Sequence, residues 1–144
     1  MSHKRSECMV KADDKQPVRT EEQLAPCPPR PNCVCSQDTS AGHRIEPLLV
    51  PASLADPFEQ LVQLMRSWPR TQFVQQTANY LHVEVRTLLF RFVDDVEFYW
   101  DQGSSLIHIR SASRLGYSDL GTNRRRLERI RRQFQQLGSQ ASHD

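Results

Sequence analysis

The amino-acid sequence predicts an α+β fold, a four-stranded antiparallel sheet with two helices packed on one face. Three observations lead to this expectation. Apolar residues recur at helical spacing in one stretch around residue 60 and in a second around residue 130. Between these stretches apolar and polar residues alternate, as in strands that bury one face. The links between the alternating runs are short, and short links favour antiparallel pairing.

The first helix is predicted over residues 57–68. Asp56 can cap it, Pro57 suits the first helical position, and Glu59 completes a variant of the capping box. Pro69 ends the helix, because proline cannot continue the backbone hydrogen bonding. The predicted buried face consists of Phe58, Leu61, Val62, Met65 and Trp68.

The strands follow from Thr71 onward, where the apolar period changes to two. The first spans residues 71–76. Residues 81–92 are interpreted as one long strand with a bulge near Arg86 and Thr87, because the apolar parity changes there without a turn residue. Asp94 and Asp95 are predicted to turn the chain. The remaining strands carry Val96, Phe98 and Trp100 and then Ile107 and Ile109, with a hairpin loop at residues 101–104.

The second helix is predicted over residues 123–137, with Leu127, Ile130, Phe134 and Leu137 on its apolar face. Gly138 is expected to end it, since glycine favours the position after a helix. We expect residues 1–25 to form a disordered leader and residues 26–42 an extended segment rich in proline and cysteine. Residues 43–138 are expected to form a single domain, and residues 139–144 a frayed tail.

Composition narrows the function classes. The chain has 19 basic and 17 acidic residues, a balance that argues against a polyanion as partner for the whole chain. Its longest apolar runs are only a few residues, which argues against a transmembrane segment. The first residues are charged and lack the apolar core of a secretory signal, so we expect a cytoplasmic protein. In that compartment Cys8, Cys27, Cys33 and Cys35 would be thiols or metal ligands rather than disulfides.

The segment from residue 110 to residue 124 is the main candidate site. It combines arginines, hydroxyl groups and two glycines, and it leads into the start of a helix, where backbone amides favour an anion. We predict that it accepts a small anionic ligand, such as a phosphate, sulfate or carboxylate group. Arg110, at the end of a strand, is expected to be structural. The predicted ligand-binding residues are Arg114, Arg124, Ser113, Ser111, Asn123 and Asp119.

The same residues also suit a purely structural network. Asp119 could pair with Arg114 or Arg124, while the serines and Asn123 could cap turns and the helix. The sequence does not decide between the two readings.

Two further functions remain open. A hydrolase could use His82 with Glu84, which share a strand face, or Cys33 activated by His43. Nucleic acid could contact the last helix, although a solvated basic face is the commoner outcome. That helix carries Arg124, Arg125, Arg126, Arg129, Arg131 and Arg132. The cysteine spacings do not match common zinc sites, so no metal or cofactor is predicted.

Residues 110–126 resemble the signature of the bacterial and plastid domain-of-unknown-function family 1499. Pro31-Asn32-Cys33-Val34, His43-x-Ile-x-Pro47-Leu48 and Asp94-Asp95 with Val96-Glu97-Phe98 match it as well, so the resemblance spans about residues 26–137. It implies no particular activity. Two departures from the family are visible. Cys35 stands where the family usually has serine, and this sequence lacks the export or organelle signal that many relatives carry. Cys35 is therefore not assigned a role from the family.

Overall fold

The computed structural model describes residues 23–116, 118–119 and 121–142 of the chain. Within these residues it contains six strands and two helices. The strands are β1 (Cys33–Cys35), β2 (Leu48–Leu49), β3 (Thr71–Gln76), β4 (Tyr80–Arg86), β5 (Val93–Asp101) and β6 (Leu106–Ser113). The helices are α1 (Pro57–Arg66) and α2 (Thr122–Ser142).

The strands form one antiparallel sheet in the order β1-β6-β5-β4-β3, and β2 also pairs with β6. The predicted α+β class with an antiparallel sheet and two helices is confirmed. The predicted number of four strands is wrong, because β1 and β2 add to the free edge of β6. Strands of three and two residues are too short to show an alternating pattern.

Both helices pack on one face of the sheet. The core joins the apolar faces of α1 and α2 to every second residue of β4, β5 and β6. Its fully buried residues include Leu61, Leu81, Phe98, Ile109 and Phe134. The helices do not cover the opposite face of the sheet, where the alternate residues of β4, β5 and β6 are mostly polar.

The β4–β5 connection differs from the prediction. Strand β4 ends at Arg86, residues 87–92 form a loop, and β5 begins at Val93, so Asp94 and Asp95 lie inside a strand rather than in a turn. The loop is closed by a backbone bond from the Thr87 amide to the Phe92 carbonyl, at 2.8 Å. Arg91 adopts a left-handed conformation with φ of 58°. The chain therefore turns without Gly, Pro or Asn, the residues by which a turn is recognised from a sequence. We call residues 87–92 the tip loop.

The ends of both helices differ from the prediction. Asp56 has a left-handed backbone with φ of 49° and makes no side-chain capping bond, and α1 ends at Arg66 instead of residue 68. Helix α2 continues through Gly138 to Ser142, so Gly138 does not end it and residues 139–142 are helical rather than a frayed tail. A Cβ at Gly138 would lie 2.4 Å from Cβ of Pro51. Glycine is needed here for close packing.

The cysteines are corrected as well. Cys27 and Cys33 form a disulfide, with their Cα atoms 5.6 Å apart, so the expectation of thiols or metal ligands is wrong for this pair. Cys35 is a buried thiol whose pKa is raised by burial. Cys8 lies outside the described residues. In the described part of the chain no group of three or more His, Cys, Asp or Glu side chains could hold a metal ion.

The disulfide holds the segment before β1 against the polar face of the sheet. Leu24 packs with Cys35, Tyr80 and Tyr99 there, and Ala25 is buried beside it. Of the expected leader, residues 1–25, residues 1–22 lie outside the described residues. None of the described helices is both long enough and apolar enough to cross a membrane.

We expect Gly138→Ala to lower the free energy of unfolding by about 1–3 kcal/mol, because the added methyl group would overlap the Pro51 ring. Alanine is a better helix former than glycine by about 1 kcal/mol, so helix propensity alone predicts that Gly138→Ala raises the free energy of unfolding. Urea denaturation measures the difference. The control is Ser139→Ala, which changes an exposed neighbour in the same helix. A stabilised Gly138→Ala variant would contradict the close packing.

Candidate functional site

A cleft of about 570 Å³ opens where the tip loop, the end of β6 and the start of α2 meet. Three kinds of side chain surround it: a buried polar network at its base, arginines around it and exposed apolar residues on the tip loop. Asp94, Ser113, Asp119, Arg126 and Arg129 are among the residues that line it.

The base of the cleft contains a buried ion pair. Arg126 donates from Nη2 to Oδ2 of Asp94 at 2.7 Å, and both side chains are almost inaccessible. The second guanidinium nitrogen, Nη1, donates to Oγ of Ser111 at 3.1 Å and to Oδ1 of Asn123 at 2.9 Å. These bonds compensate Arg126 for its lost hydration and fix the first turn of α2 on β5 and β6.

Asn123 and Asp119 hold the loop between β6 and α2. The Asn123 amide nitrogen donates to Oγ of Ser113 at 2.9 Å and to the Asn32 carbonyl at 3.2 Å. The Asp119 carboxylate accepts the backbone amides of Gly121, at 2.8 Å, and Asn123, at 3.1 Å. Asp119 thus occupies the amino end of α2, so the backbone amides expected to receive an anion already have an acceptor.

One acceptor at the base of the cleft has no donor. Oδ1 of Asp94 is buried and receives no hydrogen bond from any described residue, although Asp94 lines the cleft. A buried acceptor without a partner costs about 1–3 kcal/mol. Because Asp94 is only 1% exposed, this acceptor lies beneath the cleft surface.

Four further arginines line the cleft around Arg126: Arg70, Arg86, Arg125 and Arg129. The Arg129 guanidinium lies over the Trp68 ring, 4.9 Å from its centre. Arg70 donates from Nε to the Arg86 carbonyl at 3.0 Å. The described residues that line the cleft include five arginines, two aspartates and no glutamate, so the cleft carries a positive potential.

The tip loop gives the cleft an apolar wall. Leu88, Leu89, Phe90 and Phe92 are 73%, 79%, 67% and 44% exposed, and Leu115 across the cleft is 64% exposed. The rings of Phe90 and Phe92 stack with centroids 5.5 Å apart. Such a cluster of exposed large apolar side chains is unusual on a protein surface and indicates a place of contact.

The six residues predicted to bind the ligand separate into three groups. Ser113 and Asp119 line the cleft. Ser111 and Asn123 lie beneath it, bonded to each other and to Arg126. Arg114 and Arg124 point elsewhere. Arg124 donates to the carbonyls of Arg44, at 2.9 Å, and Gly42, at 3.3 Å. Ligand contact by these six residues stays a prediction.

Arg114 belongs to a polar cluster on the opposite face of the sheet. It donates from Nε to Oδ2 of Asp95 at 2.8 Å and from Nη2 to Glu84 at 2.7 Å. Nε2 of His82 lies 2.8 Å from Oδ1 of Asp95. Burial raises the pKa of Asp95, but the hydrogen bonds from His82 and Arg114 outweigh it and lower that pKa to about 2. Nearby, Arg110 pairs with Glu97 at 3.2 Å, in the structural role expected for it.

The residues of the hydrolase hypothesis are bonded to other groups. His82 and Glu84 contact Asp95 and Arg114 within the cluster just described. Cys33 forms a disulfide and has no thiol, so its proposed activation by His43 is wrong; Nδ1 of His43 lies 2.9 Å from the Cys33 carbonyl.

The arginines of α2 do not form one basic face. Arg124 and Arg126 are bonded to other elements, and Arg131 donates to the carbonyls of Pro47 and Glu46, each at 2.7 Å. Arg125 and Arg129 line the cleft. The arginines of α2 therefore link the helix to other elements or line the cleft, and they do not form a continuous surface for nucleic-acid phosphates.

Sequence reasoning missed most of the cleft. The periodicity predicts Arg86 and the tip loop as parts of one strand and Asp94 as part of a turn, and it indicates no role for Arg70. The run Leu88-Leu89-Phe90 was the available signal, because three consecutive large apolar residues break an alternating pattern.

The family model described as "Protein of unknown function (DUF1499)" matches residues 23–134, which contain the sheet, the cleft and most of α2. No curated protein and no solved structure matches the chain.

Asp95 predicts a specific acid dependence of stability. Its pKa is about 2 in the folded chain and close to 3.8 when unfolded, so its ion pairs stabilise the fold above pH 4. That contribution, about 2 kcal/mol, is lost as the pH falls from 4 to 2. We expect the difference in unfolding free energy between wild type and Asp95→Asn, from urea denaturation, to shrink over this interval.

Glu59→Gln, which changes an exposed carboxylate on α1, is the control. An equal difference between wild type and Asp95→Asn at pH 5 and pH 2 would contradict the cluster.

Proposed function

The chain belongs to the DUF1499 family, and for this member we propose a binding function: the cleft takes up a small anionic molecule that carries an apolar group. The observation that carries the proposal is the lining of the cleft, in which five arginines stand beside a wall of exposed leucine and phenylalanine side chains.

Charge supports the anionic part of the ligand. Arg125 and Arg129 lie one turn apart on α2 and are exposed, while Arg126 between them is bonded to Asp94. A guanidinium group presents several N–H donors in one plane and suits the oxygens of a phosphate, sulfonate or carboxylate. Arg70 and Arg86, from the other side of the cleft, add to the same potential.

The apolar wall supports the second part of the ligand. A free inorganic anion would leave Leu88, Phe90 and Leu115 in water, whereas a ligand with an aromatic or aliphatic group would cover them. The cleft volume of about 570 Å³ is in the range typical for small-molecule sites. The hydroxyl of Ser113, which lines the cleft, adds a polar contact for a ligand hydroxyl or amine group.

Binding is favoured over catalysis by what lines the cleft. Its described lining residues include no His, Cys, Lys or Glu. The Asp94 carboxylate is paired with Arg126, and the Asp119 carboxylate accepts backbone amides. General acid–base catalysis needs a proton-transferring group within reach of the substrate, and neither aspartate is available for it.

Compared with the sequence-based hypothesis, the proposed anion site moves from Arg114 and Arg124 to Arg125 and Arg129. Ser113 and Asp119 keep a place at the cleft, and Ser111 and Asn123 support it from below. The negative charge of the expected ligand is the same, whereas its apolar group is new.

We also propose that the protein works in an oxidising compartment rather than in the cytoplasm. The Cys27–Cys33 disulfide supports this, since disulfides persist where thiols are not kept reduced.

Isothermal titration of the full chain with phenyl phosphate tests the binding function. We expect phenyl phosphate to bind at least about ten-fold more tightly than inorganic phosphate or phenol, each of which satisfies only one part of the cleft. Arg129→Gln removes a charge-assisted contact and should weaken phenyl phosphate binding by about ten-fold or more.

The matched control is Arg132→Gln, an exposed arginine three residues further along α2 that does not line the cleft. Its affinity should equal that of the wild type. No binding of phenyl phosphate, or equal losses in both variants, would contradict the proposal.

A further inference from the structure

We infer that the tip loop and the arginines around it form a docking surface for an anionic lipid bilayer. This inference goes beyond the proposed binding function, because it concerns contact between the exposed tip loop and a lipid surface and does not need a molecule inside the cleft.

The tip loop projects its large apolar side chains into solvent. Leu88 and Leu89 are 73% and 79% exposed, and Phe90 is 67% exposed, at the turn that joins β4 to β5. Burying side chains of this kind in hydrocarbon is favourable in proportion to their area. Phenylalanine and leucine beside basic residues are the composition of surfaces that enter the interfacial region of a membrane.

Part of the backbone of the tip loop is bonded within the loop itself. The Thr87 amide donates to the Phe92 carbonyl at 2.8 Å, and the Arg91 amide donates to the Thr87 carbonyl at 3.1 Å. The Phe92 amide donates to Oγ1 of Thr87 at 2.9 Å. These internal bonds lower the cost of leaving water, since unsatisfied backbone groups are expensive in lipid.

Positive charge surrounds the apolar tip. Arg91 lies within the loop and Arg86 at its base, and both are exposed. Arg70, Arg125 and Arg129 line the adjoining cleft. Anionic headgroups attract such residues from within about a Debye length, with a gain of roughly five-fold in affinity for each arginine near the surface.

This combination selects a bilayer among the possible partners. A second copy of the chain docked tip to tip would bring two groups of arginines together, and their repulsion opposes pairing. An acidic peptide would satisfy the arginines but would offer little to four clustered apolar side chains. An anionic bilayer presents negative headgroups and hydrocarbon in adjacent layers, which matches arginines placed beside an apolar tip.

Flotation of the full chain with lipid vesicles tests the inference. We expect binding to vesicles of phosphatidylcholine mixed with phosphatidylglycerol, weaker binding when salt is raised, and at least ten-fold weaker binding to phosphatidylcholine alone. The double variant Leu88→Ser/Leu89→Ser should lose at least ten-fold in affinity for the mixed vesicles, because the apolar contact is removed.

Matched controls are available for both features. Leu49 is 60% exposed on β2, which pairs at the end of β6 remote from the tip loop, so Leu49→Ser should bind vesicles like the wild type. The double variant Arg86→Gln/Arg91→Gln should weaken vesicle binding and reduce its dependence on salt, whereas Arg132→Gln should not.

Several outcomes would overturn the docking surface. They are absence of binding to the mixed vesicles, equal binding by Leu88→Ser/Leu89→Ser and wild type, and self-association in sedimentation that the leucine variant abolishes. Polyglutamate can be added as a competitor that displaces the protein from vesicles. If it displaces the leucine variant as strongly as the wild type, the partner would be an acidic peptide instead. Phenyl phosphate binding without vesicle binding would reject this inference and leave the proposed function standing.

Discussion

The ion pair between Arg126 and Asp94 is the interaction on which the candidate site depends. A buried pair of charges is stable only when further hydrogen bonds replace the lost water, and here Ser111 and Asn123 provide them. The pair fixes the first turn of α2 over β5 and β6. Because Arg126 points inward, its neighbours on the helix, Arg125 and Arg129, are left at the cleft.

The neighbouring aspartate extends this arrangement to the other face of the sheet. Successive side chains of a strand point to opposite faces, so Asp94 meets α2 while Asp95 meets Arg114 from the loop after β6. Two arginines that follow β6 thus bind two consecutive aspartates of β5 from opposite sides. The loop between β6 and α2 is held at both ends, which places Ser113 and Asp119 at the cleft.

The sequence predicted what depends on periodicity and missed what depends on long-range contacts. The apolar faces of α1 and α2 were visible because Leu61, Leu127 and their neighbours repeat at helical spacing. The tip loop was not, since Leu88 and Phe90 look like strand residues until their exposure is known. Likewise, the bond between Cys27 and Cys33 depends on the chain path between them, not on their spacing.

Nuclear magnetic resonance of the labelled chain titrated with phenyl phosphate tests most directly whether the cleft is the anion site. We expect chemical-shift changes to concentrate on the amides of Ser113 and Asp119, the Trp68 indole and the Nε–H groups of Arg125 and Arg129. The Nε–H of Arg114, on the opposite face, should stay unchanged. Changes centred on Arg114 and His82, with the cleft unaffected, would contradict an anion site in the cleft.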